Sequence, residues 1–345
     1  MVNTAFIYPG QGAQYVGMGR DAAEKYGAAA HVFEEADDAL GFRLSKLIFE
    51  GGEEELKATE NTQPALLTVC TALTAGLAEA LNGGQAQALG GVGAPARNRG
   101  LAEAFADADF GLTAAAGLSI GEYAAHVLAG TLSFYDAVRV VRLRGRFMQE
   151  AAPEGTGAMA AVLGLDAAEV ERCCREAREQ RSAGGLAQVV APANFNCPGQ
   201  IVIAGHKEAV ETACALCRSR GAKRAVPLAV SAPFHCELMS GAAERLAEEL
   251  SKLDFRPMQL PVISNATAEY VTDCREAERL LVKQAASPVQ WEKSVRAMLA
   301  RGVTRFVEIG PGKTLAGFVR KIDPAAEIIN VSDAASIEKA ASAPA

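Results

Sequence analysis

Apolar and polar positions alternate in blocks along this chain, and the blocks predict an α/β fold. Short apolar runs bounded by turn residues predict strands, at 4–9, 110–117, 158–165, 187–194, 199–205, 223–230, 260–265 and 304–310. Stretches with helical apolar spacing or composition predict helices, at 18–40, 64–81, 121–129, 134–151, 166–180, 206–221, 273–286, 291–301 and from about 313. We therefore expect an α/β-hydrolase-like core with a parallel sheet between helices.

The rhythm changes from about residue 157, where the predicted elements run strand, helix, strand, strand, helix, strand. This order is the split β-α-β pattern of a ferredoxin-like subdomain. Because α/β material flanks it on both sides, we predict an inserted small subdomain at 154–229. The large domain would then comprise 1–153 and 230–345.

One segment, 82–100, lacks any apolar period, is rich in glycine and alanine, and contains Pro95. It predicts an exposed surface insertion, and a linker without function is the simplest interpretation.

Composition narrows the class of protein. Half of the 345 residues are hydrophobic and 22% are charged, as in a soluble globular protein. The net charge of −7 gives no support to nucleic-acid binding. No apolar run approaches the length of about 18 residues that a membrane span needs, and no secretory signal opens the sequence. We expect a cytoplasmic protein with no nucleic-acid or membrane partner. The sequence does not specify an oligomeric state, and a monomer is the simplest expectation.

The eight cysteines follow no spacing typical of a disulfide framework. Cys214 and Cys217 form a single C-x-x-C pair with no second pair or histidine pair beside it. Reduced thiols and no bound metal are therefore expected.

Candidate chemistry begins at GLSIG, residues 117–121, which matches the G-x-S-x-G pattern. In one interpretation Ser119 is a nucleophile exposed at a sharp strand-to-helix turn. In the other it is an ordinary serine that caps the following helix. The motif alone favours neither.

A serine nucleophile needs a base, and the chain has four histidines, at 31, 126, 206 and 235. His235 lies where the large domain resumes after the subdomain, and such junctions often carry active-site residues. It is the best candidate by elimination. A histidine base predicts acylation that rises with pH near a reference pKa of about 6.5.

The chain as a whole resembles the malonyl-coenzyme A:acyl carrier protein transacylases and the acyltransferase domains of polyketide synthases. Eight segments carry the resemblance in the family's order, namely PGQGAQYVGMG (9–19), TQPALLT (62–68), GLSIGEY (117–123), RLRGRFMQEAAPEGTGAMAAV (142–162), NFNCPGQIVIAGHKEAV (194–210), VSAPFHCELM (230–239), KQAASPVQW (283–291) and EIGPGKTL (308–315). Together they span nearly the whole chain.

The resemblance implies roles for particular residues. Ser119 would be acylated and His235 would be its base. The backbone N–H groups of Gln11 and Ile120 would form the oxyanion hole, and Arg144 would bind the substrate carboxylate.

Further residues are implied around this centre. Gln284 would assist the base, and Asn194 and Asn196 would lie near the pocket. Phe234 before the base is typical of malonyl rather than methylmalonyl specificity. Leu118 departs from the family, which usually has histidine before the nucleophile, and the 82–100 insertion has no counterpart.

The implied activity is transfer of a malonyl group from malonyl-CoA to the thiol of acyl carrier protein, through a malonyl-serine and with CoA as product. No metal or redox cofactor is implied. The rival functions are an acyl thioesterase on the same scaffold and a catalytically silent docking module for carrier protein. The basic run at 218–224, with Arg220 and Lys223, is a candidate docking patch for an acidic carrier protein, although a solvated helix end explains it equally well.

Overall fold

A computed structural model describes residues 2–83, 101–108, 110–153, 155–182, 187–230 and 232–342. The predicted insertion at 82–100 lies outside the described residues from position 84 onward.

The larger of two sheets in the described residues has six strands. Its spatial order is β10 (Glu327–Val331), β9 (Arg305–Ile309), β1 (Thr4–Tyr8), β2 (Leu112–Gly117), β7 (Val262–Ile263) and β8 (Tyr270–Val271). Neighbouring strands are parallel, except that β8 pairs antiparallel with β7 at one edge. The predicted α/β fold with a parallel sheet is confirmed.

Apolar cores cover both faces of this sheet. In β1 the side chains of Ala5 and Ile7 join one core, and those of Phe6 and Tyr8 join the other. A strand buried on both faces reads as a continuous apolar run, which is why TAFIY shows no alternation.

The helices of this α/β part are α1 (Arg20–Lys25), α2 (Gly27–Leu40), α3 (Leu44–Glu50), α4 (Glu53–Lys57), α5 (Thr59–Leu81), α6 (Leu101–Asp107), α7 (Gly121–Leu128), α8 (Phe134–Glu150), α11 (Ser240–Leu250), α12 (Cys274–Ala285), α13 (Trp291–Ala300), α14 (Thr314–Ile322) and α15 (Ala334–Ala341).

Helix α5 is the longest helix of the α/β part in the described residues. Its 23 residues are long and apolar enough to cross a membrane by length and composition. However, 83% of its most apolar window is buried inside the structure. It packs against α2 and α8 as the central helix of the larger core.

The second sheet has four antiparallel strands in the order β4 (Val190–Cys197), β5 (Gln200–His206), β3 (Gly157–Leu163) and β6 (Arg224–Pro227). Helices α9 (Ala167–Ser182) and α10 (Lys207–Ser219) pack on it around a separate apolar core. Element order and strand order are those of the ferredoxin-like arrangement. The exact domain boundaries at 153/154 and 229/230 stay a prediction.

Backbone contacts attach this second sheet to the α/β part. The N–H of Phe195 donates to the carbonyl oxygen of Val289 at 2.9 Å. The N–H of Val289 donates to the carbonyl oxygen of Ala193 at 2.8 Å. Strand β4 is thereby fixed beside the segment that follows α12.

Candidate active site

Ser119 lies on a tight turn between β2 and α7, at the carboxyl edge of the parallel sheet. Its φ of 55° is in the left-handed region, which non-glycine residues seldom adopt. A Cβ on Gly117 would overlap the backbone of Gly121, and one on Gly121 would overlap the carbonyl of Tyr8. Both glycines are therefore required by the close approach of the two chain segments.

The geometry separates the two interpretations of this serine. The N-cap residue of α7 is Ile120, and no side chain makes a capping hydrogen bond there. The Ser119 hydroxyl instead points to His235, whose Nε2 lies 2.7 Å from Oγ. The serine is therefore placed as a nucleophile would be, with a base in hydrogen-bond reach.

His235 is held in the tautomer that a general base needs. Its Nδ1 lies 3.0 Å from the main-chain carbonyl oxygen of Gln284. Since a carbonyl only accepts, Nδ1 carries the proton and Nε2 presents a lone pair to the serine hydroxyl. A backbone carbonyl thus occupies the place that a carboxylate has in other triads.

The other three histidines are engaged elsewhere. His31 is exposed and pairs with Glu34. His206 accepts a hydrogen bond at Nδ1 from the N–H of Val189. His126 is buried in α7, where burial lowers its pKa to about 3.

The electrostatics of His235 correct the pH expectation drawn from the sequence. Burial, and secondarily the positive charge of Arg144, lower its pKa from 6.5 to about 4. The imidazole is therefore neutral and able to accept a proton over the whole physiological range.

Arg144 is buried on α8, with 1% of its surface exposed. Its Nη1 donates to Gln63 Oε1 at 2.7 Å, and its Nη2 contacts Gln284 Oε1 at 2.9 Å and Ser119 Oγ at 3.2 Å. Among the described residues, no carboxylate lies within ion-pair distance of it, and the charge of Glu122 acts on it only from farther away. A buried guanidinium with no described carboxylate in contact favours an anionic ligand beside the serine.

Besides Gln63, two more residues that the sequence analysis did not single out complete the network, Glu122 and Asn265. Glu122 Oε2 accepts from Gln284 Nε2 at 2.6 Å and from the N–H of Asn265 at 3.0 Å. Asn265 Oδ1 in turn accepts from the N–H of Ser119, and its Nδ2 donates to the carbonyl of Gly117, both at 2.6 Å. Burial raises the pKa of Glu122 to about 7, against the opposing effect of these hydrogen bonds and of Arg144. Glu122 follows the elbow directly in GLSIGEY, which was the available signal.

The two predicted oxyanion donors have no acceptor in the described part of the chain. The N–H of Gln11 and the N–H of Ile120 donate to no acceptor among the described residues, whereas the N–H of Ser119 donates to Asn265 Oδ1. Free N–H groups beside a nucleophile are the arrangement that stabilises a tetrahedral oxyanion. Their role stays a prediction.

These side chains meet in a cavity of about 890 Å³ between the two sheets. Of the predicted residues, the wall includes Gln11, Ser119, Arg144, Asn194, Asn196, Phe234 and His235. Gln284 and Ile120 are buried and do not line the cavity. Leu118 contributes an apolar surface to the cavity, close against Gly10.

The described residues contain no group of three or more histidine, cysteine or acidic side chains that could hold a metal ion. The eight cysteines, all described, are free thiols.

The family model for an acyl transferase domain matches residues 5–90 and 109–342. This chain belongs to the acyl transferase family. The match covers most of the α/β part and the second sheet, including every residue of the network around Ser119.

Curated relatives and solved structures agree with the family. The chain is 45% identical to a malonyl CoA-acyl carrier protein transacylase of Bacillus subtilis, over 99% of this chain and 96% of the relative. It is 47% identical to the protein of the same name from Escherichia coli K12, over 93% of each. An acyl carrier protein S-malonyltransferase from Vibrio cholerae superposes with a TM-score of 0.84 at 40% identity, covering 98% and 99% of the two chains.

One solved relative includes a partner. In it, a type II polyketide synthase acyl carrier protein is bound to its malonyl-transacylase, which is 40% identical to this chain with a TM-score of 0.84 over 98% of each.

Proposed function

We propose that this acyltransferase moves a malonyl group from malonyl-CoA to acyl carrier protein by way of a malonyl-serine. The observation that carries the proposal is the buried Arg144 guanidinium, 3.2 Å from the Ser119 hydroxyl and without an ion-pair partner in the described residues. The names of the relatives and the carrier-protein complex support the same reaction.

The reaction follows from the geometry in two balanced halves. Ser119 Oγ attacks the thioester carbonyl carbon and passes its proton to His235 Nε2, which returns it to the departing CoA thiolate. The thiol of the carrier protein then attacks the serine ester, again giving its proton to His235, and the proton restores the Ser119 hydroxyl. Gln11 and Ile120 N–H groups would hold the oxyanion in both halves. Such double displacement predicts ping-pong kinetics.

Several surrounding residues fit a malonyl substrate. Phe234 would fill the space that an α-methyl group needs, and Asn194 and Asn196 would face the bound thioester arm. No metal or redox cofactor enters these steps. We propose a soluble, cytoplasmic enzyme that acts as a monomer.

The intact mass of the protein after mixing with malonyl-CoA tests the function. A stable increase by one malonyl group supports transfer. Rapid release of free malonate would indicate the thioesterase alternative, and no adduct would indicate a silent docking module. A hydrolase for uncharged acyl groups would leave Arg144 buried and unpaired, which argues against the first alternative.

Arg144→Ala should lower malonyl transfer about ten- to a hundredfold or more, because a hydrogen bond to a charged group contributes about 1.5–3 kcal/mol. Acetyl transfer should stay unchanged or improve, since acetyl has no carboxylate to pair with the guanidinium. The ratio of kcat/KM for malonyl-CoA to that for acetyl-CoA is the measurement, because it cancels damage to folding or to Ser119.

Two comparisons sharpen this experiment. Arg144→Lys should recover part of the ratio, because a point charge does not reproduce the planar guanidinium fork. Arg146→Ala is the matched control, an exposed arginine on the same helix that pairs with Glu150. An equal loss for both acyl groups in Arg144→Ala would refute the carboxylate role.

The candidate docking patch needs a correction. Arg220 contacts Glu169 and Glu176 at 2.9 and 2.5 Å, so its charge is committed to an ion-pair network within the subdomain. Lys223 and Arg224 remain exposed at the edge strand β6, and Leu228 just beyond lines the cavity. Basic groups here would meet an acidic carrier protein as its thiol arm enters.

Reversing Lys223 and Arg224 to glutamate together should raise the KM for carrier protein several-fold, with KM for malonyl-CoA unchanged, because rim charges act chiefly on encounter. Lys252→Glu, at an exposed position just beyond α11, is the control. Equal changes for both substrates, or none, would remove this patch from the proposal.

A further inference from the structure

We propose that Glu122 is a positioning residue that fixes the side-chain amide of Gln284 and thereby holds Arg144 in the orientation that selects a carboxylate-bearing acyl group. The inference rests on the proposed malonyl transfer and adds a residue outside the reacting set. Glu122 does not line the cavity, so any effect on substrate choice must pass through its neighbours.

The amide of Gln284 is held at both ends. Its Nε2 donates to Glu122 Oε2 at 2.6 Å and to the main-chain oxygen of Ser119 at 2.9 Å. Its Oε1 accepts from Arg144 Nη2 at 2.9 Å. A flipped amide would turn its NH₂ toward the guanidinium and its oxygen toward the carboxylate, placing donor against donor and acceptor against acceptor.

Glu122 supplies the shorter of the two contacts to Nε2, at 2.6 Å against 2.9 Å for the main-chain oxygen of Ser119. Without its acceptor oxygen, only the Ser119 oxygen would oppose the flip. Gln284 has two contacts with the site. Its side-chain amide accepts from Arg144, and its main-chain oxygen accepts from His235 Nδ1. Only the contact with Arg144 depends on the orientation of the side-chain amide, so the effect falls on Arg144.

The Tyr123 ring lies against the face of the Arg144 guanidinium, 5.5 Å from Cζ to the ring centroid, and does not fix the directions of its N–H groups. Gln63 holds Nη1, and the contact with Ser119 Oγ is the longest of the three at 3.2 Å. Loss of the Gln284 acceptor would let the guanidinium rotate within its site. A misoriented fork loses its two-point fit to a carboxylate while an uncharged acyl group is unaffected.

Glu122→Ala should therefore lower the ratio of malonyl to acetyl transfer about tenfold, the equivalent of one lost hydrogen bond. Glu122→Gln retains an oxygen that accepts from Gln284, so it should recover most of the ratio. Glu35→Ala is the matched control, a buried glutamate on α2 away from the cavity wall, and it should leave the ratio unchanged.

A double-mutant cycle identifies the route of the effect. In an Arg144→Ala background, Glu122→Ala should produce no further fall in the ratio, because there is no guanidinium left to orient. If the two changes multiply instead, Glu122 acts by another path and the inference is wrong.

A merely structural role gives a different result. It would lower both acyl transfers together in Glu122→Ala and leave their ratio as in wild type, which would overturn the proposal. Should Glu122→Ala fail to fold, Gln284→Met breaks the same link from its other side and must show the same loss of ratio. Absence of a malonyl adduct on the wild-type protein would instead refute the proposed function itself.

Discussion

Ser119→Ala is expected to abolish covalent malonylation and carrier-protein transfer. The change removes the one oxygen that lies between His235 Nε2 and Arg144 Nη2, at 2.7 and 3.2 Å. Alanine adopts the required φ of 55° about as readily as serine, so the elbow should persist. Intact mass after incubation with malonyl-CoA measures the outcome, and thermal unfolding checks that the fold is retained.

Ser251→Ala is the matched control for this experiment. Its hydroxyl is exposed and donates to the carbonyl of Glu248 at the end of α11. That variant should acquire one malonyl group at the wild-type rate. Should Ser119→Ala do the same, the identification of the nucleophile would be wrong.

Removal of the base should have the second largest effect. His235→Asn should slow acylation about 10²–10⁴-fold, the usual contribution of general-base catalysis. Asparagine is the better replacement than alanine because His235 has a φ of 59°, and asparagine tolerates the left-handed region. His31→Asn, an exposed histidine paired with Glu34, controls for the substitution itself.

The pH profile of the wild-type protein tests the same group independently. Because burial and Arg144 lower the pKa of His235 to about 4, its neutral form persists until the pH falls well below 6.5. The acylation rate at about pH 5.5 should therefore stay close to that at pH 8. A base with the reference pKa would be about tenfold slower at the lower pH. Such a slowing would contradict the buried, neutral imidazole.

The proposed nucleophile and base are the most predictable part of the site. GLSIG placed Ser119 at an elbow because the glycines at 117 and 121 answer a local steric requirement, which a short motif records. The pairing with His235 is different, since 116 residues separate the two side chains. It emerged from elimination and from the family resemblance, and the 2.7 Å contact shows the two brought together.

The supporting network was less accessible. Glu122, Asn265 and Gln63 are ordinary polar residues in helices and loops. The place of Glu122 beside the elbow marks it as near the site, but nothing around the three residues indicates partners more than 80 positions away. The lowered pKa of His235 also has no sign in the sequence, because desolvation depends on how completely other elements cover a side chain. The ion pairs of Arg220 with Glu169 and Glu176 are a third feature that the sequence does not indicate.

Strand β2 shows that tertiary packing also overrides local sequence propensity in the fold. Its sequence, LTAAAG, has weak strand propensity, yet it lies in the middle of the parallel sheet between β1 and β7. Small side chains at 114–116 are buried on both faces, where packed helices leave little room. Conversely, the predicted continuous helix at 18–40 is broken at Tyr26, whose φ and ψ are extended.

Periodicity and local sterics thus specified the α/β class, the ferredoxin-like order of elements and the serine elbow, because each depends on residues close together in the chain. Folding decided which histidine meets the serine, that Arg144 is buried without a carboxylate partner among the described residues, and that Glu122 stands behind Gln284. Those outcomes depend on which distant segments share one desolvated volume. Desolvation and hydrogen-bond geometry are properties of that shared volume, and no short stretch of sequence contains them.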